Sequence, residues 1–99
     1  MMNVEKQMQL WRLEPAARMV RLPTARMRHY LRLGLVRPAR YDGARALFGE
    51  AELARLRRLR RLSDDLGLNL AGVEVTMRLL DEIARLRAQL DRSERSGRR

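Results

Sequence analysis

Cysteine is missing from all 99 residues of the chain, which excludes a disulfide framework and a thiolate metal site and leaves the redox compartment undetermined by that route. Histidine occurs once, at His29. With one imidazole, and with no serine beside a candidate base, neither a nucleophilic triad nor a histidine acid–base pair can be assembled. Asp64/Asp65 and Asp81/Glu82 are adjacent carboxylates, and neighbours on a helix point in different directions, so they read as solvated faces. Neither a glycine-rich phosphate loop nor a run of metal-ligand spacing is present. An enzyme, a cofactor and a metal site are therefore not expected. No apolar run is long enough to span a bilayer, and the first residues, MMNVEKQMQLW, lack a signal-peptide core. A cytoplasmic protein with no membrane partner is the expectation.

Acidic residues are scarce in one half only. Between Trp11 and Arg61 stand fourteen arginines against four acids, Glu14, Asp42, Glu50 and Glu52, whereas Leu62 to Arg99 holds seven of each. The formal net charge of +10 is thus confined to one part of the chain. A solvated surface accounts for any single arginine, but not for missing counter-charges across fifty residues, and such a patch is what a polyanion attracts. Lysine is nearly absent too, Lys6 being the only one. Guanidinium forks onto phosphate through two parallel bonds, although GC-rich coding also favours arginine, so the location of the charge weighs more than its type.

A chain of this length makes one small domain with a modest core, often completed by a partner or a dimer interface. Met1 to Gln9 is polar and without periodicity. Leu10 to Leu13, LWRL, is short and bulky, fit for an extended entry segment with Trp11 packed on the domain. Glu14 and Pro15 open a first helix, an early acid and an early proline both suiting a first turn, with Ala16, Ala17, Met19 and Val20 as its small apolar face. A tight link at Arg21 and Leu22 leads to a second helix in PTARMRHYLRLGLVRP, Pro23 to Pro38. There Met27 and Leu31 share one side, Arg28, His29 and Arg32 the other, and Arg26 stands at the border. Thr24 is placed to cap this helix and Gly34 to end it in a left-handed turn. Two short helices so joined are the ingredients of a helix-turn-helix, and also of many structural helix pairs. His29 fits either a groove contact or an ordinary surface position.

Asp42 and Gly43 mark a turn inside ARYDGARALF, Ala39 to Phe48, which predicts a small hairpin carrying Arg37, Arg40 and Arg45 beside the second helix, in the place of a wing. Gly49 to Leu66 reads as a helix with Leu53, Leu56, Leu59, Leu62 and Leu66 on one side. Gly67 ends it, and Asn69 caps the next, with Leu68 and Val73 spaced as a hydrophobic staple. From Leu70 to about Ser93 the apolar residues form two stripes. Val73, Met77, Leu80 and Ala84 make the first; Val75, Leu79, Ile83, Leu86 and Leu90 make the second. Either both serve one core, or the second pairs two subunits, and the length of the second stripe favours a homodimer. SERSGRR, from Ser93, is polar enough to fray.

In this order the elements resemble the MerR superfamily of transcription regulators over Leu10 to about Leu90. The matching residues are AAR at Ala16 to Arg18; Arg28, Tyr30, Gly34 and Leu35 in the pattern R-x-Y-x-x-x-G-L; Arg37 and Pro38; and EAELARLRRLRRL from Glu50. DLGLNLAGVEVTMRLLDEIARLRAQL, Asp65 to Leu90, is similar to the HspR branch of heat-shock repressors and also to CbpM-type chaperone modulators, which bind a J-domain co-chaperone. The resemblance implies a mainly α fold, a winged helix-turn-helix with a β-hairpin wing and a long C-terminal dimerisation helix. It divides the chain into a flexible lead-in, residues 1–9; a DNA-binding domain, 10–67; a dimerisation helix, 68–92; and a disordered basic tail, 93–99. Arg28 and Tyr30 would then lie in the recognition helix near phosphates or base edges.

Two departures stand out. Family wings carry an arginine where this chain has Ala46, an aromatic where it has Arg45 and a tyrosine where it has Phe48, and the family's N-cap serine is replaced by Pro23. MerR-type sensors add an effector region after the coiled helix, and none is expected within these 99 residues. The expected partner is double-stranded DNA bearing an inverted repeat, met by Thr24, Arg26, Arg28, His29, Tyr30, Arg32, Arg40 and Arg45. The chain would pair as a homodimer through Val75, Leu79, Ile83, Leu86 and Leu90, and control chaperone or heat-shock genes. A J-domain partner is the alternative, ranked second because resemblance makes that surface basic and a +10 chain would be repelled by it. Non-specific coating of nucleic acid is a third.

Overall fold

The structure, a computed structural model, describes residues 9–97. These belong to two compact units, Met1–Gly67 and Leu68–Arg99. In the first, strand β1 (Trp11–Arg12) leads into helix α1 (Leu13–Val20), followed by α2 (Thr24–Arg32), strands β2 (Arg40–Asp42) and β3 (Arg45–Phe48), and α3 (Glu50–Arg60), which runs on into a π-helical turn, Arg61–Asp65. The second unit is a single helix, α4 (Leu70–Gly97).

Backbone chemistry fixes the ends of α1 and α2. α1 closes when Arg21 turns left-handed at φ 59° and Leu22 donates back to the Ala17 carbonyl at 3.0 Å, a conformation that costs a side chain more than it costs glycine. α2 closes in the same way at Gly34, φ +73°, with Leu35 donating to the Tyr30 carbonyl at 3.0 Å. The start of α2 differs from expectation. Pro23, extended at φ −60° and ψ 142°, is the cap, its carbonyl accepting from the Arg26 and Met27 amides at 3.0 and 3.1 Å. Thr24 is the first helical residue and makes no capping bond, because the rigid proline already holds the extended geometry that a cap needs.

The hairpin turns one residue later than its sequence signal. Asp42 pairs with Arg45, so Gly43, at φ +62°, and Ala44 form the two-residue link, with glycine in the first central place as a II′ turn requires. The sheet has three strands, in the order β1-β3-β2 and antiparallel throughout, where a two-stranded hairpin is what the sequence signals. The entry segment completes it, Trp11 opposing Phe48 and Arg12 opposing Leu47. A lone hairpin is marginal in water, and a third strand covers its open edge.

α1 packs on α2, α3 and β3, and α3 also touches β3. Met27, Phe48, Leu53, Leu56 and Leu59 are fully buried at the centre, with Ala16, Val20, Tyr30 and Val36 around them. At the start of α3 the Glu52 carboxylate accepts from the Gly49 amide at 2.8 Å. Arg60 donates to the Val20 carbonyl at 2.9 Å, and Arg55 donates to that of Leu35, so two of the arginines stitch loops rather than face solvent alone. The leucine stripe of α3 holds through Leu62, but Leu66 is 67% exposed. The π-helical turn, in which Leu66 donates to Arg61, inserts one residue per turn and rotates Leu66 off the apolar side.

In the second unit the Asn69 side chain accepts from the Gly72 amide at 2.9 Å, the cap that the sequence calls for. Val73 and Met77 are buried and Leu80 is half-buried, while Ala84 and the whole second stripe are exposed. The helix continues to Gly97 rather than fraying at Ser93. Polar residues such as Glu and Arg are good helix formers on an exposed surface, so polarity alone does not end it. Residues 1–8 of the expected lead-in, and 98–99 of the expected tail, lie outside the described residues.

Candidate nucleic-acid interface

α2 presents its polar side outward because Met27 and Tyr30, three apart, anchor the other side in the core. Arg28 and Arg32 are exposed and His29 is half-exposed. The Arg32 guanidinium lies 3.4 Å from His29 Nδ1, so the two side chains form one patch. Arg28 has no side-chain hydrogen bond or ion pair among the described residues.

Arg26 and Tyr30 depart from the expected roles. Tyr30 is 3% exposed and does not offer its ring to a base. Its hydroxyl accepts from Arg26 Nε and Nη2 at 3.4 and 3.3 Å, and the guanidinium carbon lies 5.9 Å from the ring centre. Arg26 Nη2 also donates to Asp64 Oδ1 at 2.9 Å, across 38 residues of sequence, from α2 to the π-helical turn. Burial opposes the Arg26 charge, while the bonds to Tyr30 and Asp64 raise its pKa above the ordinary arginine value. Arg26 is thus satisfied within the chain, a partnership that neither sequence separation nor helical spacing announces.

The wing lies close to this helix. A cleft of about 500 Å³, bounded by Arg28 of α2, by Arg12, Leu13 and Glu14, and by Ala44, Arg45 and Ala46 of the wing, joins three elements. Strand register sorts the rest. Directly opposed residues share a sheet face, so Arg12, Leu47 and Arg40 lie on one side, with Arg45 and Asp42, while Trp11, Phe48, Ala46 and Tyr41 lie on the other. Arg40 and Arg45 are exposed, and only Arg45 borders the cleft. Because side chains alternate, Arg45 does not occupy the face that an arginine at Ala46 would. Thr24 is half-buried and outside the cleft.

Arg12 is the basic residue that sequence reasoning passed over. In LWRL it reads as one charge within a bulky entry segment, and a two-residue strand is too short for alternation to disclose its face. The arrangement can hold anions. No cluster of three or more metal-ligating side chains occurs among the described residues, and no helix among them is long and apolar enough to cross a membrane.

Comparison with known proteins adds three findings. Residues 17–95 match the family described as MerR HTH family regulatory protein. The chain is 36% identical over 74 residues to a putative heat shock protein HspR of Streptomyces coelicolor, an alignment covering 75% of this chain and 49% of the relative, so the chain spans about half the length of the curated relative it matches. In fold it is similar to a MerR-family transcriptional regulator from Bacillus cereus, known from a crystal structure, with a TM-score of 0.60, 20% identity, and 88% and 79% of the two chains covered.

Proposed function

The chain belongs to the MerR family of helix-turn-helix regulatory proteins, and from that premise we propose that it regulates transcription by binding a specific inverted-repeat operator as a homodimer. The observation that carries this is the cleft between α2 and the wing, which Arg28 and Arg45 both line without partners of their own among the described residues. In this reading α2 enters the major groove with Arg32 and His29 toward the bases, and Arg28, Arg40 and Arg45 grip the flanking backbone. Thr24 keeps a place only as the first residue of the reading helix. Arg26 braces the helix through Tyr30 and Asp64. Family and fold favour a regulatory role over catalysis.

Pairing is assigned to α4. Val75, Leu79, Ile83, Leu86 and Leu90 are each 45–59% exposed and fall within an arc of ~80° at ~100° per residue. Uncovered apolar stripes of this length are a liability that a second copy removes. A two-fold pair presents two reading heads, and an operator of two inverted half-sites mirrors it. The likeness to a heat shock protein supports chaperone and heat-shock genes as the regulated class.

A mobility shift with duplex from upstream of the chain's own gene tests the proposal. Binding should decline steeply as salt rises and survive excess random duplex; equal binding to both ends the claim of specificity. The competing partner is a J-domain co-chaperone. Tight capture of a J-domain protein, without DNA affinity, would put that reading first.

A further inference from the structure

DNA contact through α2 and the wing leaves the Arg12 side chain on β1 without a task. We propose that Arg12 on β1 is a further phosphate-binding residue, joining Arg28 and Arg45 in a three-arginine clamp on one backbone phosphodiester of the bound duplex. The inference rests on the reading of the chain as a DNA-binding protein.

Three elements bring the three arginines to the wall of one cleft: β1 brings Arg12, α2 brings Arg28 and β3 brings Arg45. Register makes two of them neighbours. Arg12 opposes Leu47, and Arg45 lies two residues along β3 on the same face, a diagonal spacing of about 7–8 Å that long side chains easily bridge. The backbone of Arg12 is held from both directions. It pairs in the sheet, and it is also the residue that opens α1, extended at φ −70° and ψ 169°. A side chain rooted there starts from a fixed point, which lowers the ordering cost of binding.

Charge balance points the same way. Some arginines are answered within the chain, as at Arg26 with Asp64, Arg60 with the Val20 carbonyl and Arg85 with Glu82. Arg12, Arg28 and Arg45 have no such partner among the described residues, and Glu14 is the one acid on the cleft wall. Like charges gathered across a sheet are unfavourable until a counter-ion arrives. A phosphodiester supplies it, and guanidinium groups fork onto its oxygens by charge-assisted bonds. A contact from the sheet to the backbone carries no sequence information and sets position instead.

The test compares wild type, Arg12→Gln and Arg12→Lys by fluorescence anisotropy on upstream and random duplexes over a range of salt. Each phosphate contact contributes about 0.9 to the slope of log K against log salt, which at 0.15 M corresponds to about fivefold in affinity. Arg12→Gln should weaken both duplexes by about that factor and flatten both slopes by about 0.9, while Arg12→Lys keeps the slope and loses part of the affinity. Wild-type slopes in both variants would overturn the clamp, and a loss confined to the upstream duplex would make Arg12 a base reader instead. If wild type binds neither duplex, the DNA-binding reading itself fails and the clamp fails with it. Circular dichroism should not change, since Arg12 is exposed.

Discussion

Replacing Ile83 and Leu86 together by glutamate should separate the proposed dimer into folded monomers. In the isolated chain the two side chains are 45% and 49% exposed, so roughly half of each remains for a partner to cover. Full burial of such a residue is worth about 1.5–3 kcal/mol, which leaves about 1 kcal/mol per side chain on pairing. Two positions in each of two chains make about 4 kcal/mol, or about a thousandfold in the dimer dissociation constant, before the cost of bringing four carboxylates together. Glutamate is at least as good a helix former as isoleucine, and helicity should persist by circular dichroism. Sedimentation equilibrium over a wide concentration range provides the assay. A variant that keeps the mass and dissociation constant of the wild-type dimer would refute the assignment of pairing to this stripe, and a wild type that sediments as a monomer would remove the dimer outright.

Arg28→Ala should weaken binding to the upstream and the random duplex alike by about fivefold, the share of one phosphate contact at 0.15 M, with helix content unchanged; unaltered affinity in anisotropy would take it out of the interface. Asp64→Asn should release Arg26, raise affinity for any duplex a few-fold and steepen the salt slope by up to about 0.9. Its stability cost, read from urea unfolding, should stay under about 1 kcal/mol, because the pair is 32% and 46% exposed and such pairs contribute little. A fall in affinity would instead show that Asp64 holds α2 in its binding orientation.

Local chemistry made much of the fold legible. Gly34 and Gly67 end their helices at positive φ and Asn69 caps α4, since each depends on residues next to it in sequence. Leu53, Leu56 and Leu59 are buried as their period predicts. What escaped depends on distance or on a local irregularity. The Arg26–Asp64 pair joins residues 38 positions apart, the π-helical turn breaks the phase that would have buried Leu66, and β1 becomes a strand only because β3 offers an edge. The R-x-Y motif lies on a helix that exposes Arg28, yet Tyr30 turned inward, since a motif fixes spacing and not which side of the helix meets the core. Arg12 stayed unread for the same reason that β1 did.

The central claim is specific recognition of DNA by the head that α2 and the wing form. Its most direct measure is the ratio of affinities for upstream and random duplexes of equal length, taken by anisotropy at 0.15 M salt. The account predicts a ratio of about a thousandfold or more, with both affinities falling as salt rises. A ratio near one, with the same salt dependence, would contradict it and leave only the attraction of a basic chain for any polyanion.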